Sequence, residues 1–237
     1  MKLNLGKTSV QSSVLSGQKG KLGLHGDIEG IVGTGYKDTI TTAVNTKFVR
    51  SFGGSDTITL VGGGMGVTQI DVMLAGNSQR VTAKGDGLFT VDILDGSKTT
   101  VNMSSVKNGM MGVRITGDKV NINGTKGADR ISVTGDGAKV QGNDGDDSIE
   151  VHGANATVKG GNGNDTLNLS QTTGKNVLDG GEGNDLLIGG SGNDTLKVRS
   201  GKNVLIGNGG ADKLTGGKNS DLIIANTTRM LMAKHEK

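Results

Sequence analysis

A nine-residue repeat constrains this chain more than any other feature of its sequence. The repeat begins at Val106, runs to Asn168, and resumes at Gln171 after a two-residue insertion, Leu169 and Ser170. The eighth residue of each of the thirteen units is aliphatic: Val113, Ile122, Ile131, Val140, Ile149, Val158, Leu167, Leu178, Leu187, Leu196, Leu205, Leu214 and Ile223. Only 32% of the chain is hydrophobic, so chance does not produce an aliphatic residue at the same position of thirteen units. The period predicts a stack of small repeated units rather than an ordinary globular core.

Three units follow the pattern G-G-x-G-x-D-x-(aliphatic)-x in full, at 160–168, 180–188 and 189–197, and those at 124, 142, 207 and 216 follow it in part. Glycine adopts positive φ without steric cost, so the first six residues predict a tight turn. The last three predict a very short strand whose middle side chain points inward. Two units would complete a coil of about eighteen residues, and successive coils would stack as parallel strands.

This pattern resembles the calcium-binding nonapeptide repeat of the RTX (repeats-in-toxin, haemolysin-type) family. The resemblance implies an all-β fold, a right-handed parallel β-roll (β-solenoid) of about 18-residue coils, with the chain ends as candidate caps. It also implies Ca²⁺ ions between neighbouring turns on one side, held by the sixth-position aspartate and by turn carbonyls. Carboxylate and carbonyl oxygens are the ligands that this hard cation takes in proteins.

Sorting the turns by side places the candidate ligands. On one side the sixth residues are Met111, Asp129, Asp147, Asp165, Asp185, Asn203 and Asp221, and on the other Val120, Ala138, Ala156, Asn176, Asp194 and Asp212. The resemblance implies ions between Asp129 and Asp147, Asp147 and Asp165, Asp165 and Asp185, and Asp194 and Asp212. The turn residues Gly160, Asn162, Gly180 and Glu182 are further candidate ligands. Asn203 stands where the neighbouring turns have an aspartate, which argues against an ion between Asn203 and Asp185 or between Asn203 and Asp221.

The second side changes character along the chain. Its upstream units, at 115, 133 and 151, begin with Ile or Val and carry Val or Ala at the sixth position. Such turns are apolar and need no ion, so we expect an ion-binding edge and a dry edge that exchange character near residue 170. The alternative is that the Asp-Gly turns bind no metal, since Asp and Asn favour turns on their own.

The repeat divides the chain into three predicted regions: degenerate coils or a cap at 1–105, the repeat region at 106–226, and a cap or tail at 227–237. Upstream, Lys37-Asp38-Thr39-Ile40 and Ser55-Asp56-Thr57-Ile58 lie eighteen residues apart, and alternating apolar residues continue to Met103. These features favour calcium-poor coils, with a separate small β domain as the alternative. Met230 and Leu231 predict a short C-terminal helix over the last coil, and the N-terminal 25 residues could cover the other end.

Several classes of protein are excluded or disfavoured. Cysteine is absent, which excludes disulfides and thiolate metal sites. No HExxH or GxSxG motif occurs, and His25, His152 and His235 are isolated, so we expect no enzyme. The net charge of +3 comes without a basic run and with 2% aromatic residues, which argues against nucleic acid as a partner. No apolar run is long enough for a membrane span or a conventional signal peptide.

The sequence therefore predicts a non-enzymatic, calcium-binding structural or surface protein. The resemblance implies an extracellular or cell-surface location, reached by a type I-like route without a cleaved N-terminal signal. Calcium affinities of about 10⁻⁴–10⁻³ M suit extracellular modules. A solenoid has two open strand edges, so a filament or surface-layer subunit that stacks end to end is one alternative. A calcium-dependent adhesin is another.

Overall fold

The computed structural model describes residues 21–23, 30–42, 46–63 and 69–225, and all regular structure in these residues is β-strand. The chain divides into two compact units, Met1–Gly127 (unit 1) and Ala128–Lys237 (unit 2). In both units every strand pairs in parallel with the strand two places on, so that odd and even strands form separate sheets. The predicted all-β solenoid is confirmed.

Unit 1 contains eleven described strands. They are β1 (Lys21–Gly23), β2 (Gly30–Val32), β3 (Thr39–Thr41), β4 (Phe48–Arg50), β5 (Thr57–Val61), β6 (Gln69–Ala75), β7 (Arg80–Lys84), β8 (Gly87–Leu94), β9 (Thr100–Asn102), β10 (Gly109–Thr116) and β11 (Asn121–Asn123). The odd strands form one parallel sheet and the even strands another. The described residues upstream of 106 therefore form solenoid coils, as the alternating apolar residues predict.

Unit 2 contains eleven strands of the same kind. They are β12 (Arg130–Thr134), β13 (Lys139–Asp144), β14 (Ser148–Val151), β15 (Thr157–Asn162), β16 (Thr166–Asn168), β17 (Val177–Glu182), β18 (Leu186–Ile188), β19 (Thr195–Lys197), β20 (Val204–Ile206), β21 (Lys213–Thr215) and β22 (Leu222–Ile224). Odd and even strands again form two parallel sheets.

Strand register gives the length of each coil. In unit 2, Lys139 pairs with Thr157, eighteen residues on, while Thr157 pairs with Val177 at twenty, because the insertion lies between them. The coils of unit 1 vary more: Thr39 pairs with Thr57 at eighteen, but Thr57 pairs with Arg80 at twenty-three. The predicted coil of about eighteen residues is confirmed, with the closest agreement in unit 2.

The core lies between the two sheets of each unit. Eleven of the thirteen eighth-position residues are buried, from Val113 to Leu205. Leu214 is half-buried and Ile223 is 44% exposed, because both belong to the last described coil. Each eighth residue is the middle of a three-residue strand or an inward residue of a longer one, so its side chain points between the sheets. The aliphatic residues at the eighth positions of the repeat thus form the core of the solenoid.

Some expectations fall outside these observations. The C-terminal cap with Met230 and Leu231, His25 and His235 lie outside the described residues, and of the N-terminal 25 residues only Lys21–Gly23 is described, as a strand that pairs with β3. The boundary between 105 and 106 rests on fidelity to the repeat and stays a prediction. Within the described ranges no helix is long and apolar enough to cross a membrane.

Candidate metal centre

The sixth-position aspartates that precede the even strands form a ladder of hydrogen bonds. The backbone N–H of Asp129 donates to Oδ1 of Asp147 at 2.8 Å, that of Asp147 to Asp165 at 2.9 Å, and that of Asp165 to Asp185 at 3.0 Å. Each carboxylate thus reaches back to the preceding coil and satisfies a buried donor. The three pairs of aspartates predicted on this side are neighbours in the structure.

The second oxygen of these carboxylates, Oδ2, differs from the first in its surroundings. Oδ2 of Asp147, Asp165, Asp185 and Asp212 is buried and has no hydrogen-bond partner in the part of the chain that the structure describes. We call the four turns that end in these residues, 142–147, 160–165, 180–185 and 207–212, the open turns. A buried ionised oxygen without a partner costs free energy unless a proton or a cation compensates it.

The carboxyl groups of the open turns ionise reluctantly. Burial raises the pKa of Asp147 to about 8, with a smaller contribution from the charges of Asp129, Asp165 and Asp146 and against the lowering effect of the N–H of Asp129. Burial likewise raises the pKa of Asp165 to about 7. Desolvation also raises the pKa values of the other two open-turn carboxyls. Acids held apart from water and from positive charge in this way are suited to binding a cation.

Glycine at the first position makes room for the second oxygen. A Cβ on Gly160 would collide with Oδ2 of Asp165 and would lie 2.7 Å from the carbonyl oxygen of Gly180, in the next coil. A Cβ on Gly142 would likewise collide with Oδ2 of Asp147 and would lie 2.8 Å from the carbonyl oxygen of Gly160. A carboxylate oxygen and a carbonyl oxygen of the following turn therefore converge on one small space.

The backbone of the open turns is left-handed at the second and fourth positions. In the two open turns that match the repeat in full, φ is +137° at Gly161, +127° at Gly163, +103° at Gly181 and +120° at Gly183. The remaining open turns use Asn143 and Gly145, and Asn208 and Gly210, at the same places. Glycine and asparagine tolerate this conformation best, which explains why these positions carry them.

Two other turns with the same aspartate have a different conformation. In turns 189–194 and 216–221, the second-position N–H of Gly190 donates to Oδ2 of Asp194 and that of Gly217 to Oδ2 of Asp221, both at 2.7 Å. Within the described chain, neither turn has a left-handed residue at its second or fourth position. We call these the closed turns, because the chain itself supplies the partner of the second oxygen.

The closed turn 189–194 leaves fewer free oxygens at the site predicted between Asp194 and Asp212. The N–H of Asp194 donates to Oδ1 of Asp212 at 2.9 Å, so the two residues are neighbours as expected. The second oxygen of Asp194 is already engaged by Gly190. An ion at this pair would therefore depend on Oδ2 of Asp212, which lies near the carbonyl oxygen of Ala225 across Gly207.

The third-position residues Asn162 and Glu182 lie at the surface. The side chain of Asn162 donates to Asp144 at 2.8 Å. The carbonyl oxygens of Asn162 and Glu182 accept the N–H groups of Gly145 and Gly163, each in the preceding coil. Their side chains thus face outward, and only their backbone oxygens belong to the turn interior. Their role as ligands stays a prediction.

Asp179 is a buried acid that the sequence reasoning missed. It directly precedes Gly180, its Oδ2 pairs with Nζ of Lys197 at 2.9 Å, and its Oδ1 is buried without a hydrogen-bond partner in the described ranges. Its charge also helps to raise the pKa of Asp185, after the larger effect of burial. The signal available in the sequence is an acidic residue immediately before a turn that matches the repeat in full.

The donor set fits a hard divalent cation that takes most of its ligands from the backbone. No group of three acidic or histidine side chains comes together in the residues that the structure covers. An ion here would be held by one or two carboxylates together with turn carbonyls, for which Ca²⁺, with six to eight oxygen ligands in flexible geometry, is better suited than Mg²⁺. Asp147, Asp165 and Asp185, with the carbonyls of Gly160 and Gly180, are the residues that would hold it.

Comparison with known proteins agrees with this chemistry. The family model of the RTX calcium-binding nonapeptide repeat matches residues 133–167, 172–196 and 198–227. The matched segments contain all four open turns. No curated protein and no solved structure matches the chain. Residues 133–227 therefore carry RTX calcium-binding nonapeptide repeats, in four copies, on a parallel β-solenoid.

Proposed function

We propose that this chain is a non-enzymatic, calcium-stabilised structural or surface protein that works outside the cell. Its repeats belong to a calcium-binding type, and a β-solenoid of such repeats fits a structural protein. In this proposal calcium completes the open turns and so fixes the stacking of the coils in unit 2. The protein's task would be to present a rigid repetitive surface wherever calcium is abundant.

One observation carries the proposal: the buried second oxygens of Asp147, Asp165 and Asp185 stand in three successive turns of one edge. Three neighbouring acids with this environment would repel one another when ionised, which opposes folding. A cation at each turn removes both the repulsion and the desolvation cost. Folding of this edge and calcium binding are then one linked process.

The extracellular assignment is supported by affinity and by the kind of repeat. Sites built from few carboxylates bind Ca²⁺ at about 10⁻⁴–10⁻³ M, which matches extracellular calcium. Such sites would stay empty at cytosolic calcium concentrations, and unit 2 would reach its final fold only after export. RTX repeat proteins are typically secreted, and a type I-like route would fit that order of events.

Calcium binding is tested directly on the full chain. Isothermal calorimetry should detect saturable Ca²⁺ binding at millimolar concentrations or below. Far-ultraviolet circular dichroism should show β signal that is lost in EGTA and restored by calcium. A flat titration together with an unchanged spectrum would refute the proposal. Magnesium at the same ionic strength is the control, because it dehydrates reluctantly and prefers strict octahedral geometry.

A second candidate function is end-to-end assembly into filaments or surface layers. It is favoured by the last described strand, where Ile223 is 44% exposed although its equivalents Leu205 and Leu187 are buried, and where Leu222 is 56% exposed. A strand edge with apolar side chains is a template for another chain. Light scattering and negative-stain microscopy with calcium should show fibres or sheets. A monodisperse monomer would exclude this function.

A further inference from the structure

Three buried amide side chains take the place of the acid that ends other turns: Asn176 and Asn203 at sixth positions of the repeat, and Gln79 upstream of it, beside Asp56 and directly before β7. Gln79, Asn176 and Asn203 are each no more than 2% exposed. We call the turns that end in them, 74–79, 171–176 and 198–203, the amide turns. Each amide takes the same place in its ladder as an aspartate would, so the three turns can be compared with the open turns atom by atom.

The oxygen of each amide does what Oδ1 of an aspartate does. Oδ1 of Asn203 accepts the N–H of Asp185 at 2.7 Å, and Oδ1 of Asn176 accepts the N–H of Ala156 at 3.0 Å. Oε1 of Gln79 accepts the N–H of Asp56 at 3.0 Å. A backbone N–H can donate only to the oxygen, so these bonds fix which way each amide points.

The amide nitrogen then faces the oxygens of the turn. Nδ2 of Asn203 donates to the carbonyls of Ser200 and Gly201, at 3.1 and 3.2 Å, and to Oδ1 of Asp221 at 2.8 Å. Nε2 of Gln79 likewise donates to three carbonyls, those of Gly54, Ala75 and Gly76, at 2.9–3.3 Å. The nitrogen carries the positive end of the amide dipole and gathers oxygens from its own turn and from an adjacent coil.

Asn176 repeats the arrangement on the other edge of unit 2. Its Nδ2 donates to Oγ1 of Thr172 at 2.7 Å, to the carbonyl of Gly174 at 2.8 Å and to Oδ1 of Asp194 at 3.0 Å. The first residues of the amide turns also differ from those of the open turns. They are Leu74, Gln171 and Val198, whereas each open turn begins with the glycine that leaves space beside Oδ2.

We infer that the amides of Gln79, Asn176 and Asn203 take the place of a carboxylate together with its cation, and so decide which turns fold without calcium. The part of this inference that concerns calcium rests on the proposed function. Replacing a charged oxygen by an NH₂ group removes the repulsion along the ladder and supplies internal donors to the turn oxygens. Calcium is then confined to the open turns, and Asn203 marks where the ion-dependent ladder of Asp147, Asp165 and Asp185 stops.

Two isosteric exchanges in the full chain test the inference. Asp165→Asn converts an open turn into an amide turn, and its new NH₂ group would face the carbonyl of Gly180. In EGTA this variant should unfold at a higher temperature than the parent chain, by about 2–6 °C. In calcium it should bind one ion fewer. Asn203→Asp should do the reverse in EGTA, with a loss of similar size.

Asn168→Asp is the matched control. It adds the same charge at the end of β16 in unit 2, and Oδ1 of Asn168 accepts the N–H of Ser170, which an aspartate can also do. Its unfolding temperature should stay within about 1 °C of the parent. If Asp165→Asn is less stable than the parent in EGTA, or Asn203→Asp is as stable, the inference is wrong. If the parent chain binds no calcium, the proposed function fails, while the measurements in EGTA still decide the role of the amides.

Discussion

The two units use different means to hold the same kind of coil together. In unit 1, the strands β6, β8 and β10 have seven or eight residues and three buried inward side chains each, for example Phe89, Val91 and Ile93 in β8. In unit 2, the strands β16, β18, β19 and β20 have three residues, each with a single inward leucine at the eighth position. A buried aliphatic side chain contributes about 1.5–3 kcal/mol, so the later coils have much less apolar stabilisation.

The turns show the complementary difference. In unit 1 the chain supplies partners for its own acids: the N–H of Thr34 donates to Oδ2 of Asp38, and the hydroxyl of Ser51 donates to Oδ2 of Asp56. In unit 2 four carboxylates are left in open turns. A buried acid at a turn thus needs either a partner from the chain, as Asp38 and Asp56 have in unit 1, or a bound ion, as proposed for the open turns of unit 2.

Removal of calcium should separate the two units most strongly. At calcium concentrations about 100 times the dissociation constant, each bound ion contributes about 2.7 kcal/mol, or a factor of about 100 in opening equilibria. We therefore expect hydrogen exchange at β14, β16 and β18 to speed up by at least that factor in EGTA. Exchange at β6, β8 and β10 should change little. Equal acceleration in both units would overturn the comparison.

Truncation of one core residue in each unit should sharpen the comparison. Leu187→Ala and Ile93→Ala each truncate a buried four-carbon side chain to its Cβ and should each cost about 2–5 kcal/mol. Only Leu187→Ala should also weaken calcium binding, because β18 directly follows the open turn that ends in Asp185. Denaturant unfolding and calorimetry on both variants measure the two effects. A loss of calcium affinity in Ile93→Ala would contradict the assignment of calcium to unit 2.

The pH dependence of unit 2 should have opposite signs with and without calcium. Folded Asp147 and Asp165, with pKa values of about 8 and about 7, keep protons that the unfolded chain, with an ordinary value of 3.8, has already lost. Without calcium the contribution of these two groups to the free energy of unfolding is therefore largest below pH 3.8, falls as pH rises from there, and levels off above about 7 to 8. Calcium affinity should rise over the same range, by about tenfold per pH unit for each proton released.

Urea unfolding in EGTA and calorimetry in calcium, each at pH 6 and pH 8.5, measure these two trends. A calcium affinity that is the same at both pH values would mean that the open-turn carboxyls are not ligands. Asp56 provides the internal comparison in unit 1, where burial also raises the pKa but the hydroxyl of Ser51 and the N–H of Asp38 oppose the shift.

The smallest expected effect concerns Asp179. Asp179→Asn removes a negative charge whose field reaches Asp185, so the affinity of one site should fall by about threefold to tenfold. Lys197→Met is the control, because it removes the cation that pairs with Asp179 at 2.9 Å and should leave affinity unchanged or slightly higher. An unchanged affinity in Asp179→Asn would assign this residue to the ion pair alone, which contributes at most about 1 kcal/mol when partly exposed.

Much of the fold could be predicted because two units of the repeat correspond to one coil of the solenoid. The aliphatic eighth positions predict the inward residues, and the insertion at Leu169 and Ser170 appears as the one twenty-residue coil of unit 2. The candidate aspartates were also placed correctly as neighbours along each edge. These features follow from the local sequence, since a strict period leaves few ways to pair strands.

The solenoid, its coil length and the ladder of sixth-position residues follow from the period of the sequence. The tertiary structure alone decided which aspartates stand in open turns. Asp185 and Asp194 follow turns that both match the repeat in full, yet Oδ2 of Asp194 accepts the N–H of Gly190 while that of Asp185 stays in an open turn. The partner of Oδ2 depends on the backbone conformation of the second and fourth residues, and because glycine permits both conformations, the residues of the turn alone do not decide between them.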